Sequence, residues 1–350
     1  MRCDSHLFLS IIIIVQVMME LGQGERNSEG RVPNIGVMCM DLAKGLAELY
    51  EGNYCHMSAN YVKHLEASGA LIVPIWIGRE RDYYAQIMTK VNGILLPGGA
   101  VYLEDSEVKE KPELTNDCVK SARYIYELAM ERNEAGNYFP IWGTCLGFQL
   151  LLINAAKTNE VRTECGRFFK ALPLHWSTDS IEGNSTMLAD LSPELAEQMQ
   201  KIPFACHQHR YCIEVENLHR YALHKDWRIL ATRESATESP SEPTKRFITL
   251  IEHRRFPIFG SQFHPERAAH ELGLLENDNC SAAHTRLGIQ LAQYYAEFFV
   301  EACRRNTNRF SSNEEKLRYL IFNWQPVFSG LKHSNCMQCY IFPRDVEYPQ

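Results

Sequence analysis

A cysteine stands between two glycines in Gly143-Thr144-Cys145-Leu146-Gly147, just after the apolar run Phe139-Pro140-Ile141-Trp142 and just before an apolar segment compatible with a helix. The pattern predicts a strand, a tight turn and a helix. In such a turn the side chain projects at the carboxyl end of the strand, and the unpaired N–H groups of the helix start point at the same spot. Their partial positive charge favours thiolate over thiol, so Cys145 reads as a nucleophile. A buried structural cysteine in a β–α unit would show the same local pattern, so the reading needs a base. Far downstream, Phe256-Pro257-Ile258-Phe259-Gly260-Ser261-Gln262-Phe263-His264-Pro265-Glu266 is a second short apolar strand that ends in a polar cluster. Its proline stops further strand pairing, and His264 and Glu266 fall at the strand end, where open α/β sheets gather their ligands. An imidazole there can take the thiol proton, hold an ion pair with the thiolate and later protonate a leaving amine. A carboxylate two residues on can fix its tautomer.

The elements that must carry these residues alternate along the chain. Ile35–Met38 and Leu71–Trp76 are short apolar runs, and between them Ser58 can cap a helix over Ala59–Ser68 that Gly69 terminates. Tyr83–Lys90 reads as a short helix, Gly93–Leu96 as a buried strand and Thr115–Arg132 as a longer helix, ahead of the strand Phe139–Trp142 that delivers Cys145. Trp227–Thr232, Phe247–Glu252 and Pro257–Phe263 read as neighbouring strands, with a Ser/Thr/Glu/Pro-rich loop over Glu234–Lys245, and Thr285–Arg304 as an amphipathic closing helix. Alternation of this kind predicts an α/β three-layer sandwich, a mostly parallel sheet covered on both faces with right-handed crossovers. Pro97-Gly98-Gly99 follows the strand Gly93–Leu96. Its glycines let backbone approach a ligand closely, and an N–H there, with that of Leu146, can receive a developing oxyanion. An ordinary turn at a strand end would read the same way.

Gly143-Thr144-Cys145-Leu146-Gly147 and Phe263-His264-Pro265-Glu266, preceded by Gly93-Ile94-Leu95-Leu96-Pro97-Gly98-Gly99, resemble the class I glutamine amidotransferase fold, which is flavodoxin-like. The resemblance is closer to the γ-glutamyl hydrolase family, and it runs from Pro33-Asn34-Ile35-Gly36-Val37 through Ala59–Glu66 to Gln338-Cys339-Tyr340-Ile341-Phe342. It implies one catalytic domain over 25–350, including a C-terminal extension over 305–350. It implies hydrolysis of γ-glutamyl bonds in folylpoly-γ-glutamates through a γ-glutamyl thioester on Cys145, with His264 as general acid and base and Glu266 orienting it. Gly98, Gly99 and Leu146 become oxyanion and substrate-binding residues, with Gly99 the favoured backbone donor. His209-Arg210-Tyr211 matches a His-basic-aromatic element near the substrate, which makes His209 a site residue and leaves His207 without a role. The resemblance requires no cofactor and no metal, and a homodimer is compatible with it. The sequence departs from the vertebrate-type pattern at Gln149, where the similar motif reads Gly-Phe-Glu. A glutaminase-type amidotransferase subunit and another secreted cysteine peptidase use the same cysteine and histidine chemistry, and a secreted binding protein with a relic site is the non-enzymatic alternative.

A formal charge of −7 over 350 residues and the lack of any Lys/Arg run argue against a nucleic-acid binder. A polyglutamate tail must then meet a local basic pocket, for which Arg167, Lys170, Arg210 and Arg267 are candidates. At the N-terminus, the apolar stretch Leu7–Met19 fits a signal-peptide core of roughly 7–15 residues and falls short of the ~20 needed to span a bilayer. The expectation is a signal peptide over 1–24, no stable membrane anchor after its removal, and a lysosomal, vacuolar or extracellular destination. Asp4 makes the leading segment less basic than usual and keeps an uncleaved anchor as the alternative. Asn184-Ser185-Thr186 and Asn279-Cys280-Ser281 are glycosylation sequons, Asn184 the better of the two. Of 12 cysteines, Cys3 leaves with the signal and Cys145 must stay reduced, while the rest can form disulfides whose connectivity the sequence leaves open. Cys336-Met337-Gln338-Cys339 has metal-knuckle or redox spacing, but no second ligand pair at zinc spacing is evident.

Overall fold

The computed structural model describes residues 31–50, 52–104, 115–178, 185–235, 244–271, 280–330 and 336–350. The predicted signal peptide and both sequon asparagines, Asn184 and Asn279, lie outside the described residues. In chain order the first elements are β1 (Asn34–Met38), β2 (Met40–Asp41), α1 (Lys44–Ala47), β3 (Tyr54–Ser58), α2 (Ala59–Glu66), β4 (Leu71–Ile75), α3 (Arg81–Ile87) and β5 (Gly93–Leu96). There follow α4 (Asp117–Glu134), β6 (Ile141–Thr144), α5 (Leu146–Ala156), β7 (Arg162–Leu172), β8 (His175–Trp176), α6 (Pro193–Lys201), β9 (Ala205–Ile213) and α7 (Val215–Arg220). The last are β10 (Trp227–Glu234), β11 (Arg246–His253), β12 (Ile258–Ser261), α8 (Arg267–His270), α9 (Arg286–Arg304), α10 (Asn313–Tyr319), β13 (Val327–Phe328) and β14 (Gln338–Pro343).

The main sheet has the order β4-β1-β5-β6-β12-β11-β10-β8. Its first five strands run parallel and the remaining neighbours are antiparallel, so the sheet is mostly parallel in the half that carries the site. Strands β1, β5, β6 and β12 are buried along their whole length, as expected of parallel strands covered on both faces. Helices α2, α8 and α9 pack together, with α9 against β1, while α3, α4 and α5 form the other layer, with α5 against β5, β6 and β12. The chain steps from β1 to β4 in one direction and from β4 past β1 to β5 in the other, so right-handed crossovers put α2 and α3 on opposite faces. This is the three-layer α/β sandwich expected from the alternation.

Two smaller sheets are not evident from periodicity. β13-β14-β3-β2 is one, and the β7-β9 ribbon is the other. A disulfide between Cys165 and Cys212 joins the two strands of that ribbon. Ser58 stands at the N-cap of α2 but makes no side-chain cap bond. Its hydroxyl is directed instead to Cys336 Sγ at 3.0 Å, because strand β14 lies across it.

The C-terminal residues are built into the body of the molecule. β14 pairs with β3, Tyr348 Oη donates to Pro74 O at 2.6 Å, and Phe342, Trp324 and Tyr348 surround Trp76. Arg344 bridges the carboxylates of Asp41 and Asp117. Asp41 is completely buried and also accepts from the Cys118 N–H at 2.8 Å. These contacts hold β14 and the residues after it against β3, β4 and α4. Removing one partner of a buried pair leaves an uncompensated charge, so Arg344→Met is expected to lower stability by about 3–5 kcal/mol, measured by chemical unfolding.

Candidate active site

Cys145 occupies the turn between β6 and α5 with φ 51° and ψ −104°. A β-carbon makes that conformation unfavourable for any residue but glycine, and such strain persists where the surroundings over-determine it. Here the Cys145 N–H donates to Ser261 O at 2.7 Å and the Gly147 N–H donates to Pro97 O at 3.0 Å. A β-carbon on Gly147 would collide with the Leu96 backbone. Only glycine therefore lets α5 start this close to β5, and Leu146, as the first residue of α5, has an N–H without an intrahelical acceptor.

β12 lies beside β6 with Ser261 opposite Thr144. That register carries the chain three residues past the end of β12 to His264, whose N–H is fixed by Cys206 O at 2.8 Å. His264 Nδ1 is 2.7 Å from Glu266 Oε1, and Glu266 is almost wholly buried. Burial alone would lower the imidazolium's proton affinity. The Glu266 carboxylate and the charge and hydrogen bond of Cys145 outweigh it and raise the His264 pKa to about 10. Glu266 itself is held below its ordinary value; burial opposes this and the His264 charge overcomes it. The structure thus brings Cys145, His264 and Glu266 together from two distant segments, with the imidazole protonated at neutral pH.

The surrounding groups complete the geometry. The Gly98 N–H donates to Tyr61 Oη at 2.8 Å, and the same hydroxyl lies 3.3 Å from His264 Nδ1. Burial, followed by the Glu266 charge, keeps Tyr61 a neutral phenol, with its pKa well above the usual value. Gln262 Nε2 points at Cys145 Sγ at 3.7 Å, and the backbone carbonyl of Gln208 lies 3.8 Å from it. Gln149 Nε2 donates to Tyr211 O at 2.8 Å and to Gln262 Oε1 at 3.1 Å, so it holds Gln262 in place. A β-carbon on Gly98 would sit 2.6 Å from His264 Cε1 and 3.2 Å from Cys145 Cβ. Gly98→Ala is accordingly expected to reduce kcat/KM by about 10²-fold through displacement of the reacting groups, with a loss of stability of about 1–3 kcal/mol from overpacking.

Comparison with known proteins bears directly on this arrangement. A family model described as peptidase C26 matches residues 33–266, a span that holds Gly98, Cys145, His264 and Glu266. The chain belongs to the peptidase C26 family. Human gamma-glutamyl hydrolase is 30% identical to it over 343 residues, 95% of this chain and 96% of that one. The Bos taurus gamma-glutamyl hydrolase is 31% identical over 292 residues, 83% of this chain and 84% of that one. Gamma-glutamyl hydrolase 1 of Arabidopsis thaliana is 28% identical over 289 residues, 82% of this chain and 76% of that one. This C26 peptidase is therefore a cysteine-type hydrolase.

The other expected site residues of the peptidase fall in different places. His209 is buried beside the site, stacked on Phe168, with Nε2 2.9 Å from His207 Nδ1. Burial, followed by the nearby charge of His264, lowers its pKa to about 3, so the ring is neutral at pH 7. His207, assigned no role from the sequence, is the ring that orients it. Of the expected backbone donors, the Gly98 N–H is already bonded to Tyr61 Oη. Arg167, Lys170 and Arg210 are exposed on the β7–β9 ribbon, Arg210 paired with Glu164. Arg267 is buried behind Glu266. Sequence reasoning missed Tyr61 and Gln262. Gln262 stood two residues before His264, and that proximity was its only signal; Tyr61 had none beyond its place in α2.

Proposed function

We propose that this peptidase hydrolyses the γ-amide bonds linking glutamates in folylpoly-γ-glutamates. The observation that carries the reading is the convergence of Cys145, His264 and Glu266 in a chain similar to gamma-glutamyl hydrolases along almost its full length. The Cys145 thiolate attacks the γ-carbonyl carbon, and the oxyanion is received by the N–H groups of Gly99 and Leu146. The His264 imidazolium gives its proton to the departing amine, the C–N bond breaks, and a γ-glutamyl thioester remains. His264, now neutral, takes a proton from water; hydroxide attacks the thioester, the γ-carboxylic acid leaves, and thiolate and imidazolium are restored. Glu266 keeps Nδ1–H pointed at itself, so the other ring nitrogen always faces the sulfur. Neutral His209 and the phenol of Tyr61 line the site without adding charge.

The same reading takes residues 25–350 as a secretory-pathway enzyme delivered to lysosome, vacuole or the exterior after loss of 1–24. Among the described residues no helix is long and apolar enough to cross a membrane. Mass spectrometry of the products from a defined pteroyl-γ-pentaglutamate tests the substrate assignment. Shortened pteroyl-γ-glutamates and released γ-linked glutamates are expected. Cleavage of an α-linked pentaglutamate at an equal rate would instead make this a general cysteine peptidase.

A further inference from the structure

Two thiols on the terminal strand lie outside the catalytic machinery. Cys336 precedes β14 and Cys339 lies within it, opposite Ser58 of β3. Ser58 Oγ donates to Cys336 Sγ at 3.0 Å and Ser329 Oγ donates to Cys339 Sγ at 3.4 Å. The two sulfurs are themselves in hydrogen-bond contact. Cys339 is completely buried and Cys336 partly exposed. We propose that Cys336 and Cys339 form a dithiol–disulfide exchange site that couples the thiol redox state of the surroundings to the catalytic His264–Glu266 pair.

The coupling has a physical route. The Met337 N–H, between the two cysteines, donates to Glu271 Oε2 at 2.8 Å, and Asn60 Nδ2 donates to Glu271 Oε1 at 2.8 Å. Asn60 precedes Tyr61 in α2, and Glu271 follows α8, whose first residue Arg267 adjoins Glu266. Burial pushes the Glu271 carboxyl up, against the pull of Arg267 and the Met337 N–H. Arg267 is buried beside Glu271 and Glu266; burial works against its charge, and the two carboxyl groups keep its guanidinium protonated. A disulfide needs its sulfurs about 2.0 Å apart, closer than any hydrogen-bond contact. Cys339 is held by the pairing of β14 with β3, so the approach falls on Cys336 and Met337. Ser58 then loses its sulfur partner and Glu271 loses the Met337 N–H, next to the carboxylate that orients His264.

The exchange balances with a low-molecular-weight disulfide as oxidant. Cys336, the accessible thiol, loses its proton and attacks one sulfur of the reagent, whose S–S bond breaks and releases the first small thiol. Cys339 then attacks Cys336 Sγ and expels the second. The protein pair loses two electrons, the reagent gains them, and the two protons leave on the two small thiols.

The test uses the full chain as wild type, Cys336→Ser, Cys339→Ala and Cys145→Ala, equilibrated in glutathione buffers from fully reduced to fully oxidised and trapped by alkylation. In wild type and Cys145→Ala, the peptide holding residues 336–339 is expected to pass from doubly alkylated to an unalkylated internal disulfide. Along the same curve kcat/KM of the wild type should fall about fivefold, the lower end of measured couplings between sites, and return on reduction. Cys336→Ser, which keeps an oxygen for Ser58 to bond, should hold its activity across the series, as should Cys339→Ala. A peptide that stays doubly alkylated at every ratio would overturn the proposal, and so would a Cys336→Ser enzyme that loses activity along the wild-type curve. The peptide readout needs no substrate, so its failure is distinguishable from failure of the pentaglutamate assay.

Discussion

Cys145→Ala is expected to lower kcat for pteroyl-γ-glutamates by at least about 10⁴-fold, the range seen when a covalent nucleophile is removed. In the proposed mechanism the thiol is the group that forms the thioester. The variant is expected to fold. Alanine retains the β-carbon that makes φ 51° unfavourable, so stability stays close to that of the wild type. Cys145→Gly relieves that strain and is expected to be equally inactive yet more stable, by about 1 kcal/mol. Steady-state assays alongside thermal unfolding check both. An alanine variant that still turned over at the parental rate would rule out the thioester.

Glu266→Gln separates orientation from charge. The amide oxygen can still accept from His264 Nδ1, so the ring stays in place, but the buried imidazolium loses its counter-charge. Proton affinity at His264 should fall from its present value of about 10, and kcat/KM at neutral pH should drop by about 10²–10⁴-fold, as when the carboxylate of a catalytic triad is made an amide. The sign of the accompanying stability change follows from linkage. In the wild type a raised histidine pKa contributes stability that is fully present below its unfolded value near 6.5 and is lost as pH rises toward 10. The variant should lose most of that contribution and show a flatter stability profile between those limits. Its pH–rate profile should show the basic limb displaced to lower pH; a limb that did not move would mean that another group sets the His264 pKa.

The coupling of Gln149 to Gln262 gives the one departure from the vertebrate-type motif a structural meaning. An amide at 149 can donate to Tyr211 O and Gln262 Oε1 together; an ionised glutamate could donate to neither. The chain therefore supports its thiol through two linked amides, and the substitution leaves the nucleophile intact while changing what holds its neighbour.

What could be read from the sequence was local. The Gly-Thr-Cys-Leu-Gly run specifies its own strand, turn and helix, because a few adjacent backbone torsions and the lack of β-carbons at two positions are sufficient to build the turn. The apolar runs at 35–38, 71–76 and 93–96 were legible as strands because parallel strands buried on both faces are continuously apolar. The pairing of Cys145 with His264 came from the order of motifs and from resemblance; only the parallel registration of β12 on β6 puts the two side chains in contact. Tyr61 bonded to the Gly98 amide, Gln262 aimed at the sulfur, Arg267 turned inward and Ser58 drawn from its capping place to a cysteine just before the last strand were decided by tertiary structure alone. Each depends on which distant element packs beside it, and no periodicity along the chain carries that information, since side chains at equivalent helix or strand positions are placed alike until a neighbour selects among them.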